Sequence, residues 1–287
     1  MVILDGGLAT HLEALGADLR DELWSARLLL ESPSVIRQAH LDYFTAGAQV
    51  ATTASYQASI PAFTRRGLDV GEAENLILLS VRLATEARDA YGEGTVAASV
   101  GPYGAYLANG AEYTGDYDLD EDGLADWHRD RWHILAGSGA DLLACETIPS
   151  YAEARALRRL LAETPGTRAW VSFSCRDGER ISDGTPLAEA AALFSGVPQV
   201  LAVGVNCTAP RHIPDLIGRI EDKPVVVYPN SGETWNAAER RWSGLADPVE
   251  YGAAAAEWHA AGAAFVGGCC RTTPEHIHQI REHLPTG

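Results

Sequence analysis

The amino-acid sequence predicts a single (β/α)8 TIM barrel, and three features lead to this prediction. Eight short apolar runs alternate along the chain with amphipathic stretches of helical periodicity. The apolar runs lack strict polar alternation, as is typical of parallel strands that are buried on both faces. The 287 residues contain no linker rich in proline, glycine or serine. Two domains would fit this length, but α/β barrels commonly occupy it as one, so we expect one domain over residues 1–287.

The eight apolar runs are the predicted strands of this barrel. They are Val2–Leu4, Gln49–Thr53, Val96–Val100, Asp141–Cys145, Ala169–Ser174, Val200–Asn206, Val225–Tyr228 and Ala263–Val266. An open, doubly wound sheet is the alternative arrangement of the same elements. No G-x-G-x-x-G motif follows the first run, so the sequence does not indicate the dinucleotide site that is common in such sheets.

Helical stretches fill the intervals between the strands, and several carry start signals. The predicted helices include Ala73–Tyr91, Leu124–Ser138, Tyr151–Glu163, Leu187–Ser195, Val249–Ala261 and Pro274–His283. Ser150 and Glu153 have the spacing of a capping box, and Asp247 and Thr273 each precede a proline at a helix start. The acidic residues 116–122 begin like a calcium loop but lack its bidentate glutamate, so we interpret them as a solvated loop.

Composition and charge exclude several classes of protein. The formal net charge of −17 disfavours binding to nucleic acid or to an anionic membrane. No apolar run approaches the roughly 20 residues of a membrane-spanning helix, and the N-terminus lacks the pattern of a secretion signal. The odd number of cysteines, 5, favours reduced thiols over a disulfide framework. We therefore expect a cytoplasmic protein, a monomer or homodimer, whose partners are small molecules.

Polar and thiol residues follow nearly every predicted strand at its carboxyl end, where barrels of this kind build their active sites. The turns that lead into the strands are ordinary, with Ala-Gly-Ala or Ser-Gly-Ala sequences. The residues at the carboxyl ends are Asp5–Gly7, Thr52-Thr53 with Tyr56, Ser99–Gly101, Glu146-Thr147, Ser174-Cys175, Asn206-Cys207, Tyr228–Asn230 and Gly267–Cys270. We expect the functional site among these residues.

Three cysteines follow two of these strands: Cys207, Cys269 and Cys270. Three thiolates would bind zinc and leave a fourth position for a substrate. We expect the two glycines before Cys269 to let the backbone turn tightly, so that both neighbouring thiols reach one ion. Spacing alone equally allows buried core cysteines or a disulfide between the adjacent pair. Cys145 and Cys175 are interpreted as packing residues.

Two carboxylates, Asp5 and Glu146, end apolar strands. Such groups bind a cationic part of a substrate or tune a proton transfer, and the alternative is a salt bridge to a loop arginine. Trp24 and Trp235 fall in predicted loops or helix starts near the mouth of the barrel. Either ring could bind a methylated cation through a cation–π contact, although tryptophan more commonly serves packing.

Taken together, these motifs resemble the homocysteine S-methyltransferase family, most closely its bacterial and plant branch that uses S-methylmethionine. The residues that carry the likeness extend over almost the whole chain: Asp5–Thr10, Leu23–Ser25, His40–Tyr43, Thr53–Gln57, Ser99–Tyr106, Glu112–Gly115, Glu146-Thr147, Gly204–Cys207, Tyr228–Gly232 and Gly267–Cys270.

The resemblance implies a zinc ion (Zn2+) on Cys207, Cys269 and Cys270 that binds the homocysteine thiol. It also implies that Asp5 and Glu146 hold the homocysteine ammonium group. The further substrate contacts that we expect are Thr53, Ser99, Asn206, Tyr228 and Trp24.

The reaction implied by the resemblance is methyl transfer from a sulfonium donor to the homocysteine thiol, which gives methionine. S-methylmethionine is the favoured donor, with S-adenosylmethionine as a second possibility. No catalytic residue is expected beyond the zinc-activated thiol of the substrate. The alternatives are a selenocysteine acceptor, a betaine donor, or a zinc-binding barrel without activity, and the presence of both carboxylates favours an enzyme.

Overall fold

A computed structural model describes residues 1–19, 25–236, 241–243 and 247–284. Its strands are β1 (Val2–Ile3), β2 (Val50–Thr52), β3 (Thr95–Val100), β4 (Leu142–Ile148), β5 (Ala169–Phe173), β6 (Val200–Asn206), β7 (Val225–Tyr228), β8 (Thr234–Asn236), β9 (Arg241–Ser243) and β10 (Ala263–Val266). Eight of them form one parallel sheet in the order β1, β10, β7, β6, β5, β4, β3, β2, while β8 and β9 form an antiparallel pair. A parallel bridge from Leu4 to Val50 links the two edges of this sheet. The predicted barrel is therefore confirmed, and the open sheet is excluded.

Helices surround the strands in the order expected for repeated β/α units. The α-helices are α1 (Leu8–Ala14), α2 (Ser25–Glu31), α3 (Pro33–Ala46), α4 (Ile60–Thr64), α5 (Val70–Tyr91), α6 (Tyr103–Leu107), α7 (Glu121–Ala136), α8 (Tyr151–Glu163), α9 (Leu187–Ala192), α10 (Ile213–Ile217), α11 (Pro248–Ala260) and α12 (Pro274–His283). Two 3-10 turns cover Ala111–Tyr113 and Pro210–His212. Within the described ranges we find no helix with the length and apolar character that crossing a bilayer requires.

The barrel interior has its own apolar core, separate from the larger core between strands and helices. Alternate strand residues point inwards, and small side chains such as Ala97, Ala144 and Ala202 leave room for the Trp170 ring. The Trp170 indole donates a hydrogen bond to the Tyr228 hydroxyl at 3.0 Å. The interior packing thus ends in a polar group at the carboxyl end of β7, on the side where the site was expected.

The helices α5, α7 and α11 begin one to three residues before their predicted starts, and the cap of α8 differs from the predicted one. The Ser150 hydroxyl accepts from the Glu153 amide at 3.2 Å. The Glu153 carboxylate does not accept from the Ser150 amide, so the predicted capping box is incomplete. This carboxylate accepts instead from the Tyr103 amide at 2.6 Å and pairs with the His128 ring at 2.8 Å. In the acidic stretch, residues 116–120 form the expected exposed loop, and the Asp120 carboxylate accepts from the Gly123 amide, so α7 begins at Glu121 rather than at the predicted Leu124.

A buried polar cluster holds the segments that follow β2 and β3. The Arg131 guanidinium donates to the carbonyl oxygens of Tyr56 and Gly101 at 3.3 and 2.5 Å. It also lies 3.1 Å from the His128 ring, which contacts Glu153. Because these groups are almost completely buried, their hydrogen bonds must be kept, and they fix both backbone segments close to the barrel mouth.

Gly204 provides a test of strand packing in β6. A Cβ atom at this position would lie 1.7 Å from the Val226 carbonyl oxygen, and a backbone atom cannot move aside cheaply. We expect Gly204→Ala to lower the free energy of unfolding by about 2–3 kcal/mol, as overpacking does. Urea-induced unfolding followed by circular dichroism measures this loss. Gly166→Ala is the control, since nothing lies within 4 Å of its added Cβ; equal stability of the two variants would contradict the prediction.

Candidate functional site

Three thiols meet at the carboxyl ends of β6 and β10. The sulfur atoms of Cys207, Cys269 and Cys270 all lie within 4.8 Å of one another, and no other such group of possible metal ligands occurs in the described ranges. Cys207 and Cys269 are paired as a disulfide with Cα atoms 5.5 Å apart, and the Cys270 sulfur is 3.8 Å from that of Cys207. The structure therefore joins Cys269 to Cys207 rather than to its sequence neighbour Cys270. The three cysteines lie together in one cluster and are not separate core residues.

The backbone around this cluster is unusual. Cys207, Thr147 and Arg271 have φ values of 46°, 60° and 68°, in the left-handed region that residues with a Cβ rarely adopt. Each such residue costs on the order of 1–3 kcal/mol, and strain of this kind concentrates at functional sites. These conformations turn the strand ends so that side chains from different strands converge.

The two glycines before the thiol pair have a different role from the one expected. Neither has a positive φ. A Cβ on Gly267 would lie 2.6 Å from the Leu4 side chain, and one on Gly268 would lie 2.3 Å from the Thr272 hydroxyl. Close packing against the residues that follow β1 therefore requires glycine at position 267, and close packing against Thr272 requires it at position 268.

Asp5 follows β1 and is 4% exposed. Its two carboxylate oxygens accept from the Thr52 amide at 2.7 Å and from the Thr52 hydroxyl at 3.0 Å. Burial raises the pKa of Asp5 to about 8, against the opposing effect of the Thr52 hydrogen bonds, and the nearby Glu146 charge adds to the rise. A desolvated carboxyl of this kind binds a cation favourably, because the cation restores the charged form.

Glu146 lies within β4 and is 8% exposed. The Ser99 hydroxyl donates to its carboxylate, and the Tyr228 hydroxyl contacts it as well. Burial raises the pKa of Glu146 to about 7, while these two hydroxyls oppose the rise. No arginine contributes to the pKa of either carboxyl, so the salt-bridge alternative finds no support in the described part of the chain.

Asn206 is completely buried beside the thiols. Its amide oxygen accepts from the Thr147 amide at 2.7 Å and from the Ser172 hydroxyl at 2.8 Å. Its amide nitrogen donates to the Thr147 hydroxyl at 2.7 Å and lies 3.9 Å from the Cys269 sulfur. With these partners Asn206 links β4, β5 and β6 and positions Cys269. A direct contact of Asn206 with substrate stays a prediction.

The other expected substrate contacts lie close to the carboxylates. The Ser99 amide donates to the Thr53 hydroxyl at 3.0 Å, and Thr53 is buried beneath the mouth. The Tyr228 hydroxyl shares a hydrogen bond with Ser172 at 2.5 Å besides its contact with Glu146. Trp24 lies outside the described residues, and the side chain of Trp235 does as well.

Two tyrosines complete the wall of the site, and the sequence analysis assigned neither of them a role. The Tyr113 hydroxyl is in hydrogen-bonding contact with the Cys270 sulfur, and the Tyr56 hydroxyl contacts Thr147. Burial raises the pKa of both phenols well above the ordinary value, so both stay neutral donors. The sequence signal for these two tyrosines is their position in the motifs Thr53–Gln57 and Glu112–Gly115. Both motifs carry the family resemblance, but their residue types do not by themselves indicate a role in the reaction.

Comparison with known proteins agrees with this geometry. A family model described as Homocysteine S-methyltransferase matches residues 2–284. The homocysteine S-methyltransferase YbgG of Bacillus subtilis is 50% identical, over 98% of this chain and 93% of its own length. The Escherichia coli homocysteine S-methyltransferase is 48% identical, over 98% and 94% of the two chains.

Solved structures lead to the same family. The homocysteine methyltransferase MmuM from Escherichia coli matches in an oxidised form with a TM-score of 0.89 and in a metallated form with a TM-score of 0.87. Each shares 46% sequence identity and covers 99% of this chain and 96% of its own. The chain therefore belongs to the homocysteine S-methyltransferase family, and it is a methyltransferase.

Proposed function

We propose that this enzyme transfers a methyl group from a sulfonium donor, S-methylmethionine in the first place, to the thiol of homocysteine, and that it uses zinc. The observation that carries the proposal is the meeting of three cysteine sulfurs with two buried carboxyls that have no cationic partner among the described residues, at one end of the barrel. Thiols suit a soft metal and carboxyls suit an ammonium group, and homocysteine offers a thiol and an ammonium on one short chain.

The donor set fits zinc. Three sulfur ligands with an open fourth position are typical of catalytic zinc, and soft thiolates disfavour magnesium and calcium. Cys207, Cys269 and Cys270 would hold the ion, with Asn206 fixing Cys269 from behind. Bound zinc would supply Lewis-acid chemistry that lowers the pKa of the homocysteine thiol and keeps its sulfur nucleophilic at neutral pH.

The chain's own residues then position the acceptor. Asp5 and Glu146 receive the homocysteine ammonium between them, since both are desolvated and lack a cationic partner within the described residues. Thr52, Ser99 and Tyr228 hold the two carboxyls by hydrogen bonds and so fix the place of the ammonium. With the acceptor anchored at both ends, its sulfur can point at the donor methyl group in a reactive geometry.

The reaction balances without a redox partner. The homocysteine sulfur forms a bond to the methyl carbon, the carbon–sulfur bond of the donor breaks, and its electron pair stays on the leaving sulfur as a neutral thioether. The thiol proton goes to solvent. No side chain has to act as a general base, because the zinc-bound thiol would already be ionised.

The remaining features follow from the same proposal. We propose that residues 1–287 act as one homocysteine-binding barrel domain with small-molecule partners only. Zinc binding by all three cysteines requires the reduced form of the Cys207–Cys269 pair, and reduced thiols fit the cytoplasmic location expected from the sequence. The likeness of Tyr228–Gly232 to the S-methylmethionine-dependent branch supports that donor over S-adenosylmethionine.

A side-by-side donor assay tests the proposal. We expect purified protein with homocysteine to form methionine fastest with S-methylmethionine, because the likeness at Tyr228–Gly232 is to enzymes that use this donor. Methionine formation is followed with S-methylmethionine, S-adenosylmethionine and betaine at equal concentrations. A higher rate with betaine would overturn the donor, and no methionine from any donor would overturn the proposed function.

The metal proposal predicts about one zinc ion per chain. Cys269→Ser combined with Cys270→Ser should lose the ion, because serine hydroxyls replace two of three thiolates. Elemental analysis of purified protein measures the stoichiometry. Cys175→Ser is the matched control, since this half-buried cysteine lies outside the cluster and should keep full occupancy. Full occupancy in the double variant would show that zinc binds elsewhere.

The role of Glu146 predicts a loss of homocysteine affinity. A charge-assisted hydrogen bond contributes roughly 1.5–3 kcal/mol, so Glu146→Gln should raise the homocysteine KM about tenfold to a hundredfold. 2-Mercaptoethanol, which lacks the ammonium group, should react poorly and be almost indifferent to the substitution. Steady-state kinetics with both thiols measures the difference. An unchanged homocysteine KM would argue for proton transfer at Glu146 instead.

The two carboxyls also predict a pH dependence. Their pKa values of about 7 for Glu146 and about 8 for Asp5 leave both largely neutral in acid, where they bind an ammonium group weakly. As the pH rises through this range they ionise, so kcat/KM for homocysteine should increase relative to kcat/KM for 2-mercaptoethanol. The ratio removes the thiol ionisation that both substrates share. A ratio independent of pH would contradict the assignment.

A further inference from the structure

Glu112 is a carboxylate near the thiol cluster that the proposed function leaves without a task. It lies in the 3-10 turn Ala111–Tyr113, which is fixed by its surroundings. The Ser174 hydroxyl donates to the Glu112 carbonyl oxygen at 2.9 Å. On the other side, a Cβ on Gly104 would lie 2.4 Å from the Glu112 amide nitrogen, so α6 packs directly on this turn.

The Glu112 carboxylate lies within electrostatic reach of the site. Burial is the main cause that raises the pKa of the Tyr56 and Tyr113 phenols and of the Cys270 thiol, and the Glu112 charge adds a smaller contribution to each. Its sequence neighbour Tyr113 touches the Cys270 sulfur. Glu112 therefore stands one residue from the thiol cluster, on a different segment of the chain from Asp5 and Glu146.

One oxygen of this carboxylate lacks a partner. Glu112 Oε2 is buried and accepts no hydrogen bond within the described residues. The backbone amides of Gly110 and Glu112 stabilise the charged form, yet burial still raises the pKa of Glu112 above its ordinary value. A buried carboxylate oxygen without a donor is costly, and a ligand that brings an N–H group removes this cost.

The methyl donor carries two positive groups, and only one of them fits this oxygen. A sulfonium centre has no polar hydrogen, so it cannot supply the missing hydrogen bond. It also loses its charge as the methyl group leaves, so an adjacent anion would bind the ground state better than the transition state and slow the reaction. An α-ammonium group offers N–H donors and keeps its charge throughout.

The separation between the two positive groups of the donor agrees with an ammonium contact at Glu112. In an amino-acid sulfonium donor a short carbon chain separates the sulfonium from the ammonium. The sulfonium must face the acceptor sulfur near the thiol cluster. Tyr113 touches that cluster and Glu112 is its neighbour, so the ammonium of such a donor would reach the Glu112 carboxylate.

We propose that Glu112 binds the α-ammonium group of the methyl donor and thereby makes the enzyme select sulfonium donors that are amino acids. This inference rests on the proposed function, since it takes methyl transfer from a sulfonium donor as given. It separates S-methylmethionine and S-adenosylmethionine, which carry the ammonium, from betaine and from sulfonium compounds without an amino group. Glu112 is then a specificity-determining residue for the donor, as Asp5 and Glu146 are for the acceptor.

Steady-state kinetics of Glu112→Gln tests the proposal. The amide keeps the shape of the side chain and removes its charge. We expect the KM for S-methylmethionine to rise about tenfold to a hundredfold, with kcat within about twofold and the homocysteine KM unchanged, because the lost interaction is equal in ground and transition states. Asp116→Asn is the matched control, an exposed acid in the same connection that should keep wild-type constants.

Competition with 4-(dimethylsulfonio)butanoate, the analogue of S-methylmethionine without the amino group, provides a second measurement. Wild type should bind this analogue at least about tenfold more weakly than S-methylmethionine, and Glu112→Gln should bind the two nearly equally. Circular dichroism and thermal unfolding confirm that the variant is folded. If Glu112→Gln fails to fold, the wild-type comparison of the two ligands alone decides, since equal binding would overturn the proposal.

The possible failures are distinguishable. Wild type that makes no methionine from any donor would overturn the proposed function itself. Active wild type with an unchanged donor KM in Glu112→Gln would overturn only the role of Glu112. A rise in kcat together with donor KM would place the carboxylate against the sulfonium centre, and a rise in the homocysteine KM would assign it to the acceptor. Both results would contradict the ammonium contact.

Discussion

The closure of the barrel at Asp5 is the constraint on which the rest of the site depends. The Asp5 amide donates to the Val50 carbonyl oxygen at 3.0 Å, and the Asp5 carbonyl oxygen accepts from the Gly268 amide at 3.0 Å. Its carboxylate then accepts from the Thr52 amide. One residue therefore connects the end of the first strand to the last strand and to the second. Because Cys269 and Cys270 directly follow Gly268, the same hydrogen bonds that close the barrel fix where the thiols lie.

This arrangement explains why the fold could largely be predicted from the sequence. Strands buried on both faces consist of uninterrupted apolar residues, so the bounds of β6, β7 and β10 agree with the prediction. β4 extends to Ile148, past its predicted end at Cys145, because Glu146 lies inside the strand. Its charge suggested a strand end, but hydroxyls from β3 and β7 accommodate it within the sheet. Such partners come from other strands and leave no local signal.

The site could be predicted less completely, and the difference has a physical basis. Thiols and carboxylates at strand ends are recognisable because their chemistry is rare in an apolar setting, and all of the expected ligands of this kind do converge. The contacts that orient them depend on the register between strands. The bonds from Asn206 to Thr147 and Ser172 span three strands, and the contact of Tyr113 with Cys270 joins two distant loops. Local sequence patterns carry no information on such distances.

The left-handed conformation of Cys207 has a consequence for transferring this chemistry to other proteins. A designer who grafts the three cysteines onto the same strand ends of another parallel barrel would reproduce the composition but not the convergence. With ordinary extended backbone the first sulfur would be directed elsewhere. The graft would also need a scaffold rigid enough to keep an L-residue at a φ of 46°. Transfer of the site to another protein is thus limited by the backbone geometry that the site requires, and not by the identity of its side chains.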